Sequence, residues 1–239
     1  MSGHSKWSTI KHKKAKLDAK RGKVFTKLIR ELTVVAREGG GDPTSNARLR
    51  MIIDKAKAAN MPQDNITRAI KKGTGEIEGV QYEESMYEGY GPHGIAVIVE
   101  TLSDNKKRTV AAVRHIFSKM GGNLGETGSV SWMFERKGVV KLSSGGLSED
   151  DLLEKLLDYD VEDVIVMDGL ASVICAMEDL EGVKKGVEKE GLKAEAADVE
   201  LVAKNKISLH DEDQETKVYK FLEALEEIDD VQNVYANLS

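Results

Sequence analysis

Three groups of residues in this 239-residue chain have types and spacings that could do chemistry: two glycine-rich stretches, scattered histidines and paired carboxylates, and a block of cations near the N-terminus. Gly89-Tyr90-Gly91-Pro92-His93-Gly94 matches the letters of the dinucleotide fingerprint G-x-G-x-x-G. That motif needs a strand before it and a helix after it, so that a pyrophosphate meets a helix N-terminus. Here a strand-like run follows and Pro92 lacks an amide donor, so the hexapeptide reads as a turn between two strands. "GGNLGETGS" at 121–129 lacks the lysine and the following helix of a P-loop.

The histidines at 4, 12, 93, 115 and 210 show none of the tight spacings of a zinc site. Cys175 is the only cysteine, so no disulfide can form within the chain; in the apolar run "ASVICAM" it reads as a small buried hydrophobe. Carboxylate pairs such as Asp158 with Asp160, Glu149 with Asp150 and Asp151, and Asp229 with Asp230 fall at helix starts and on polar faces, where acids are favoured or tolerated. No Ser-His-Asp or Cys-His set stands out. The expectation is a protein that is not an enzyme, with no cofactor and no metal.

The cations are different in kind. Residues 1–75 hold 18 Lys and Arg against 6 acids, whereas residues 76–239 hold 17 against 35, so an end of charge +12 precedes a remainder of −18. Confining that much positive charge costs self-repulsion, which a polyanion would relieve while releasing its counterions. Lys6, Lys11, Lys13, Lys14, Lys16, Lys20, Arg21, Lys23, Lys27 and Arg30 suit backbone phosphates, with Arg48, Arg50, Lys71 and Lys72 extending the track along the following segment. Trp7 would either stack on a base or anchor the arm to the protein. The expected partner is nucleic acid. The acidic remainder suits protein contact, spacing, or self-competition with the basic arm that discourages non-specific nucleic-acid binding.

The elements that must position these groups follow from periodicity. Phe25, Leu28, Ile29, Leu32, Val35 and Ala36 lie at helical spacing, and "EGGGD" stops that helix. Asp42-Pro43 signals a second helix with Leu49, Ile52, Ile53 and Ala56 inward; a third follows Pro62, carries Ile66, Ala69 and Ile70, and ends at Gly73. Residues before Lys23 have almost no apolar stripe and read as an arm that orders on a partner. From Gly79 the grammar turns to strands and helices: "GIAVIVETL" as a strand, a helix capped by Asp104, and "SVSWMFE" as a strand with Val130, Trp132 and Phe134 on one face. The run from 136 to 205 then has the order βαββαβ, the ferredoxin-like plan. The final helix and strand cannot bury a core alone and would complete the unit left open at Glu135.

The resulting expectation is an α+β protein: an N-terminal three-helix domain, then two α/β domains of ferredoxin-like type, one inserted in the other. The segments are 1–78 for the basic arm and bundle, 79–135 plus 206–239 for a discontinuous domain, and 136–205 for the insertion. No apolar run is long enough for a membrane span and no secretory signal opens the chain, so a cytoplasmic location without membrane contact is expected.

The chain resembles the YebC/PmpR family of bacterial regulators in "GHSKW" at 3–7, "DAKRGKVFTKLIREL" at 18–32, "ANMPQDNITRAIKKG" at 59–73, "YEGYGPHGIAVIVETLSDNKKRT" at 87–109 and "GGNLGETGSVSWMF" at 121–134. The resemblance implies three domains, helical then two α/β, one inserted in the other. It also implies a regulator of gene expression, since bacterial members are commonly classed as DNA-binding transcriptional regulators. A mitochondrial relative is a translational activator and bacterial members are linked to ribosomes, so ribosome-associated, rRNA-binding translation regulation is the alternative; the nucleic acid implied is duplex DNA or ribosomal RNA, and the acidic α/β domains would reach RNA polymerase or the ribosome. The absence of a presequence before residue 3 suits a bacterial cytosolic member.

Overall fold

The structure is a computed structural model that describes residues 21–209 and 211–238. Three helices come first: α1 (Arg21–Gly39), α2 (Ala47–Ala58) and α3 (Gln63–Gly73). Leu32, Leu49, Ile66, Ala56 and Ala69 close their shared core. Helices α1 and α3 meet at Gly73, where an added Cβ would lie 2.3 Å from the Thr33 carbonyl oxygen. Only glycine permits that approach.

The second helix begins later than Asp42-Pro43 suggests. Asp42 stabilises a turn by accepting from the amide and hydroxyl of Thr44, and Asn46 is the true cap. The buried Asn46 side chain accepts from Leu49 N and donates to Val35 O and Gly40 O. One amide thus starts α2 and ties it to the end of α1.

The remainder is built on two four-stranded sheets. The first uses β1 (Glu83–Tyr90), β2 (Ala96–Ser103), β3 (Asn123–Leu124) and β8 (Val231–Ala236) in the order β3-β1-β2-β8. Helices α4 (Lys106–Lys119) and α7 (Glu212–Glu226) cover one face, with Phe117 and Phe221 edge to face at 5.0 Å. The second sheet, β5-β6-β4-β7, uses β4 (Phe134–Ser143), β5 (Val161–Met167), β6 (Leu170–Cys175) and β7 (Ala194–Ala203). Helices α5 (Glu149–Lys155) and α6 (Leu180–Lys189) pack on it, and its chain order is βαββαβ.

The last helix and strand join the first sheet, so the second sheet is inserted within the chain of the first. The whole is α+β. Strand β2 is apolar along most of its length because both faces are covered: Val97 and Val99 face α4 and α7, while Ala96 and Ile98 meet Val130 and Phe134 beside Leu201 and Ala203.

Two expectations change. Asn105, not Asp104, caps α4 by accepting from Arg108 N, which leaves Asp104 to pair with the Arg108 guanidinium. "SVSWMFE" is not a strand of the first unit: Ser131–Met133 form a single 3-10 turn, Trp132 is 62% exposed, and β4 starts at Phe134 and pairs with β7 from its first residue. The alternation was real but spanned a turn.

Asn46→Ala removes the cap and two further hydrogen bonds, one of them buried, so it should destabilise by more than the ~1 kcal/mol of an ordinary cap. Asp42→Ala should cost less, and denaturant midpoints compare the two.

Candidate nucleic-acid interface

The cations of the helical head divide into those facing solvent and those facing the rest of the molecule. On α2 and α3, Arg50, Lys57, Arg68, Lys71 and Lys72 are exposed, and none of them forms an ion pair with another described residue. Lys71 and Lys72 stand in the last turn of α3, where cations complement the helix dipole. Arg50 donates to the Pro43 carbonyl, which holds the side chain along the surface. Arg48 is exposed but bridges Glu38 and Glu84.

On α1 the arrangement reverses the expectation for Arg30. Its Nη1 donates to the carbonyls of Leu102 (3.1 Å) and Asp229 (2.6 Å) and to Asp230 Oδ1 (3.0 Å), while the guanidinium stacks 5.4 Å from the Tyr82 ring centre. Its side chain is only 11% exposed. Arg30 is therefore a structural residue that fastens the bundle to the first sheet and cannot serve as a phosphate contact in this arrangement. Lys23 and Lys27 extend the same seam, Lys23 to the carbonyl and carboxylate of Glu227 and Lys27 to the Gln232 carbonyl. The sequence shows cations on one helix face but not the acidic turn 200 residues away that meets them.

The centre of that seam is Asp230. Besides Arg30 it accepts from Arg108 Nη2 at 2.9 Å and from the Thr109 hydroxyl at 2.8 Å, and it is 3% exposed. Burial alone would raise its carboxyl, but the hydrogen bonds from Arg108 and Thr109 and the two guanidinium charges win and hold it below the ordinary range.

A second seam joins α2 to the inserted sheet through an ion pair between Lys55 and Asp198. Burial pushes Glu31 above its ordinary 4.5 despite the nearby Lys55 ammonium, and it pushes Asp198 up against the pull of the same ammonium. Lys55 is also opposed by burial, but Asp198 and Glu31 outweigh that and keep it firmly charged. Two desolvated acids share one cation.

The glycine-rich stretches also have definite places. Gly89 and Tyr90 end β1, paired with Val97 and Ala96, and residues 91–95 make the turn to β2, with His93 at φ 60° and Gly94 at φ 78°. The 121–129 stretch runs on into residues 130 and 131 to surround Glu88, whose buried carboxylate accepts the amides of Gly128 (3.0 Å), Val130 (3.1 Å) and Ser131 (2.8 Å). Burial opposes that charge, yet the three amides hold the carboxyl below its ordinary value. A loop that could cradle an anion already holds one of the protein's own.

Lys6, Trp7, Lys11, Lys13, Lys14, Lys16 and Lys20 lie outside the described residues, as does the side chain of Arg21 at the head of α1. Among the described residues no cluster of three or more His, Cys, Asp or Glu side chains could hold a metal ion, and no helix is long and apolar enough to cross a membrane.

A cationic helical head seated on two α/β sheets, one inserted in the other, defines a three-part α+β protein. The profile described as "TACO1/YebC protein N-terminal domain" matches residues 5–76, and "TACO1/YebC second and third domain" matches residues 82–238. The chain belongs to the TACO1/YebC family. It is 53% identical over 239 residues to a protein of Halothermothrix orenii, covering 99% of this chain and 94% of that one. It is 54% identical over 239 residues to a protein of Chlorobaculum tepidum, covering 100% and 95%. Both relatives carry the name "probable transcriptional regulatory protein". The crystal structure of a conserved hypothetical protein from Aquifex aeolicus superposes with a TM-score of 0.86 at 49% identity, covering 94% of this chain and 93% of that one.

Glu31→Gln removes a charge that the fold holds at a cost. The folded carboxyl keeps its proton to higher pH than the unfolded one, so its contribution is fully present below 4.5 and is lost as pH rises through the raised folded value. The variant should melt above the parent at pH 7, with the gap closing towards pH 4. A gap independent of pH would trace the change to packing instead.

Proposed function

We propose that the chain is a non-enzymatic, nucleic-acid-binding regulator of gene expression, a DNA-binding transcriptional regulator by the class of its relatives. The observation that carries the reading is the set of exposed cations Lys57, Arg68, Lys71 and Lys72 on α2 and α3, in the same N-terminal third of the chain as the basic run from Lys6 to Arg21. Exposed cations that form no ion pair among the described residues, on one head of a protein of net charge −6, create a local positive field that a phosphate backbone satisfies. Lys23, Lys27 and Arg30 lie outside this surface, since they hold the head to the body. The acidic α/β domains face protein partners, RNA polymerase in the transcriptional case.

The alternative is ribosomal RNA bound in the service of translation. A single bundle with no obvious dimer seam in its sequence suits palindromic operators poorly, whereas a basic arm that orders on binding suits structured RNA. The two are separated by offering labelled protein ribosomes and genomic duplex DNA at equal phosphate concentration and physiological salt. Retention on particular DNA fragments supports transcriptional control, and partition to ribosomes supports the translational role.

Charge reversal of Lys71 and Lys72 should weaken binding to either polymer and flatten its salt dependence by ~0.9 log unit for each duplex phosphate that is no longer neutralised. Reversal of Lys13, Lys14, Lys20 and Arg21 should do the same. Slopes unchanged in both variants would reduce these cations to solvated side chains and remove the basis of the reading.

A further inference from the structure

The three parts of the molecule meet around a cleft of about 730 Å³, lined by α1 and α2 of the bundle, by β1, β2 and β8 of the first sheet, and by Asp198 and Val199 of the inserted one. That volume is in the range of small-molecule sites, which commonly sit where domains meet. On its bundle side stands Glu31, an acid that the fold leaves without a counter-ion. Protein surrounds this side chain closely enough to desolvate it, yet part of its surface stays open to the cleft. Among the described residues no group donates a hydrogen bond to its carboxylate and no cation stands at ion-pair distance.

The cations near it are committed elsewhere. Lys55 is paired with Asp198, Arg48 bridges Glu38 and Glu84, and Lys27 donates to the Gln232 carbonyl. Their fields reach Glu31, but burial outweighs them and holds its carboxyl above the ordinary value. A desolvated carboxylate without a partner costs stability, and a group perturbed in this way inside a cleft is a mark of a binding site. Glu31 and Asp198 thus share the one ammonium of Lys55, which leaves this part of the cleft short of one positive charge.

The rest of the lining narrows what supplies that charge. A metal ion is poorly served, since no three His, Cys, Asp or Glu side chains converge to hold one among the described residues. Val35, one helical turn beyond Glu31 on α1, lines the cleft together with Met51, Ile52, Met86 and Met177. Aliphatic and thioether walls adapt to a flexible alkyl chain better than to a hydrated ion. An ammonium group on such a chain carries the single charge that is missing and three donors to share among the oxygens around it.

We propose that this cleft binds a small aliphatic amine, whose ammonium pairs with Glu31 and whose alkyl chain packs against the methionines. Linear diamines and longer polyamines are ligands of this chemical class. The site goes beyond the nucleic-acid reading and does not depend on it.

The test uses the full chain with its methionine methyl groups labelled for NMR, in the absence of nucleic acid. It is titrated with putrescine, and with butane-1,4-diol as a chain of the same length without charge. Putrescine should shift Met51, Met86 and Met177 saturably while Met61, buried in the helical core, stays fixed; the diol should move none of them. Glu31→Gln should weaken binding by about tenfold or more, the effect of losing a hydrogen bond to a charged group. Glu154→Gln removes the same charge from an exposed position of α5 and should bind as the parent does. Putrescine should also raise the melting temperature of the parent and of Glu154→Gln, but not that of Glu31→Gln. Since Glu31→Gln is expected to melt above the parent at pH 7, its loss of binding would not reflect unfolding.

Methionines that stay fixed with putrescine, or that move equally with the diol, overturn the proposal. So does an affinity unchanged in Glu31→Gln. A loss as large in Glu154→Gln as in Glu31→Gln would also overturn it, by reducing the effect to diffuse attraction between a cation and an acidic protein. With no nucleic acid present, each of these results leaves the test of nucleic-acid binding separate.

Discussion

The arrangement of the molecule depends on one buried carboxylate. Asp230 receives Arg30 from the bundle and Arg108 with Thr109 from α4, so a single side chain at the turn before β8 joins three segments far apart in sequence. Two guanidinium groups around one acid satisfy its desolvated charge, which an isolated carboxylate at 3% exposure could not tolerate. The same interaction fixes the rotation of α1 about its axis. Once Arg30 is turned towards Asp230, Leu28, Leu32 and Val35 pack into the helical core and Arg50, Lys57, Arg68, Lys71 and Lys72 of α2 and α3 are left facing outward.

Positive charge in the head thus has two functions that composition cannot separate. Lys23, Lys27, Arg30 and Lys55 are tethers to the acidic domains, and the exposed cations of α2 and α3 make an electrostatic surface. The acidic excess of the remainder is correspondingly not only a solvated exterior. Part of it, at Glu227, Asp230 and Asp198, is the counter-charge for the tethers. Membership of the TACO1/YebC family accords with this three-part construction along nearly the whole chain.

Much of the fold was legible because apolar periodicity is local. The three helices, the βαββαβ order of the second sheet and the need of the last helix and strand for a distant partner could all be read from spacing. What could not be read was set by contacts between distant segments or by competition among neighbouring polar residues. Asp42 and Asn46 are both good caps, and the choice fell to Asn46 because its amide also reaches Val35 and Gly40. Asp104 lost to Asn105 because the Asp104 carboxylate has Arg108 to bind. Val130, Trp132 and Phe134 alternate as a strand would, yet the amides of Val130 and Ser131 point to Glu88 and not to a neighbouring strand. The candidate site was legible as a charge excess. The withdrawal of Arg30 has no local signal, since it is defined by residues on other elements.

The Glu88 carboxylate held by the amides of Gly128, Val130 and Ser131 has a consequence for the protein in a crowded, anion-rich solution. A phosphate or nucleotide approaching those amides competes with a group covalently held in place, whose effective concentration is of millimolar order or higher even for flexible tethers. The loop is in this sense pre-saturated. Its shape, and the placing of the exposed Trp132 that follows it, is buffered against changes in the surrounding pool of metabolites.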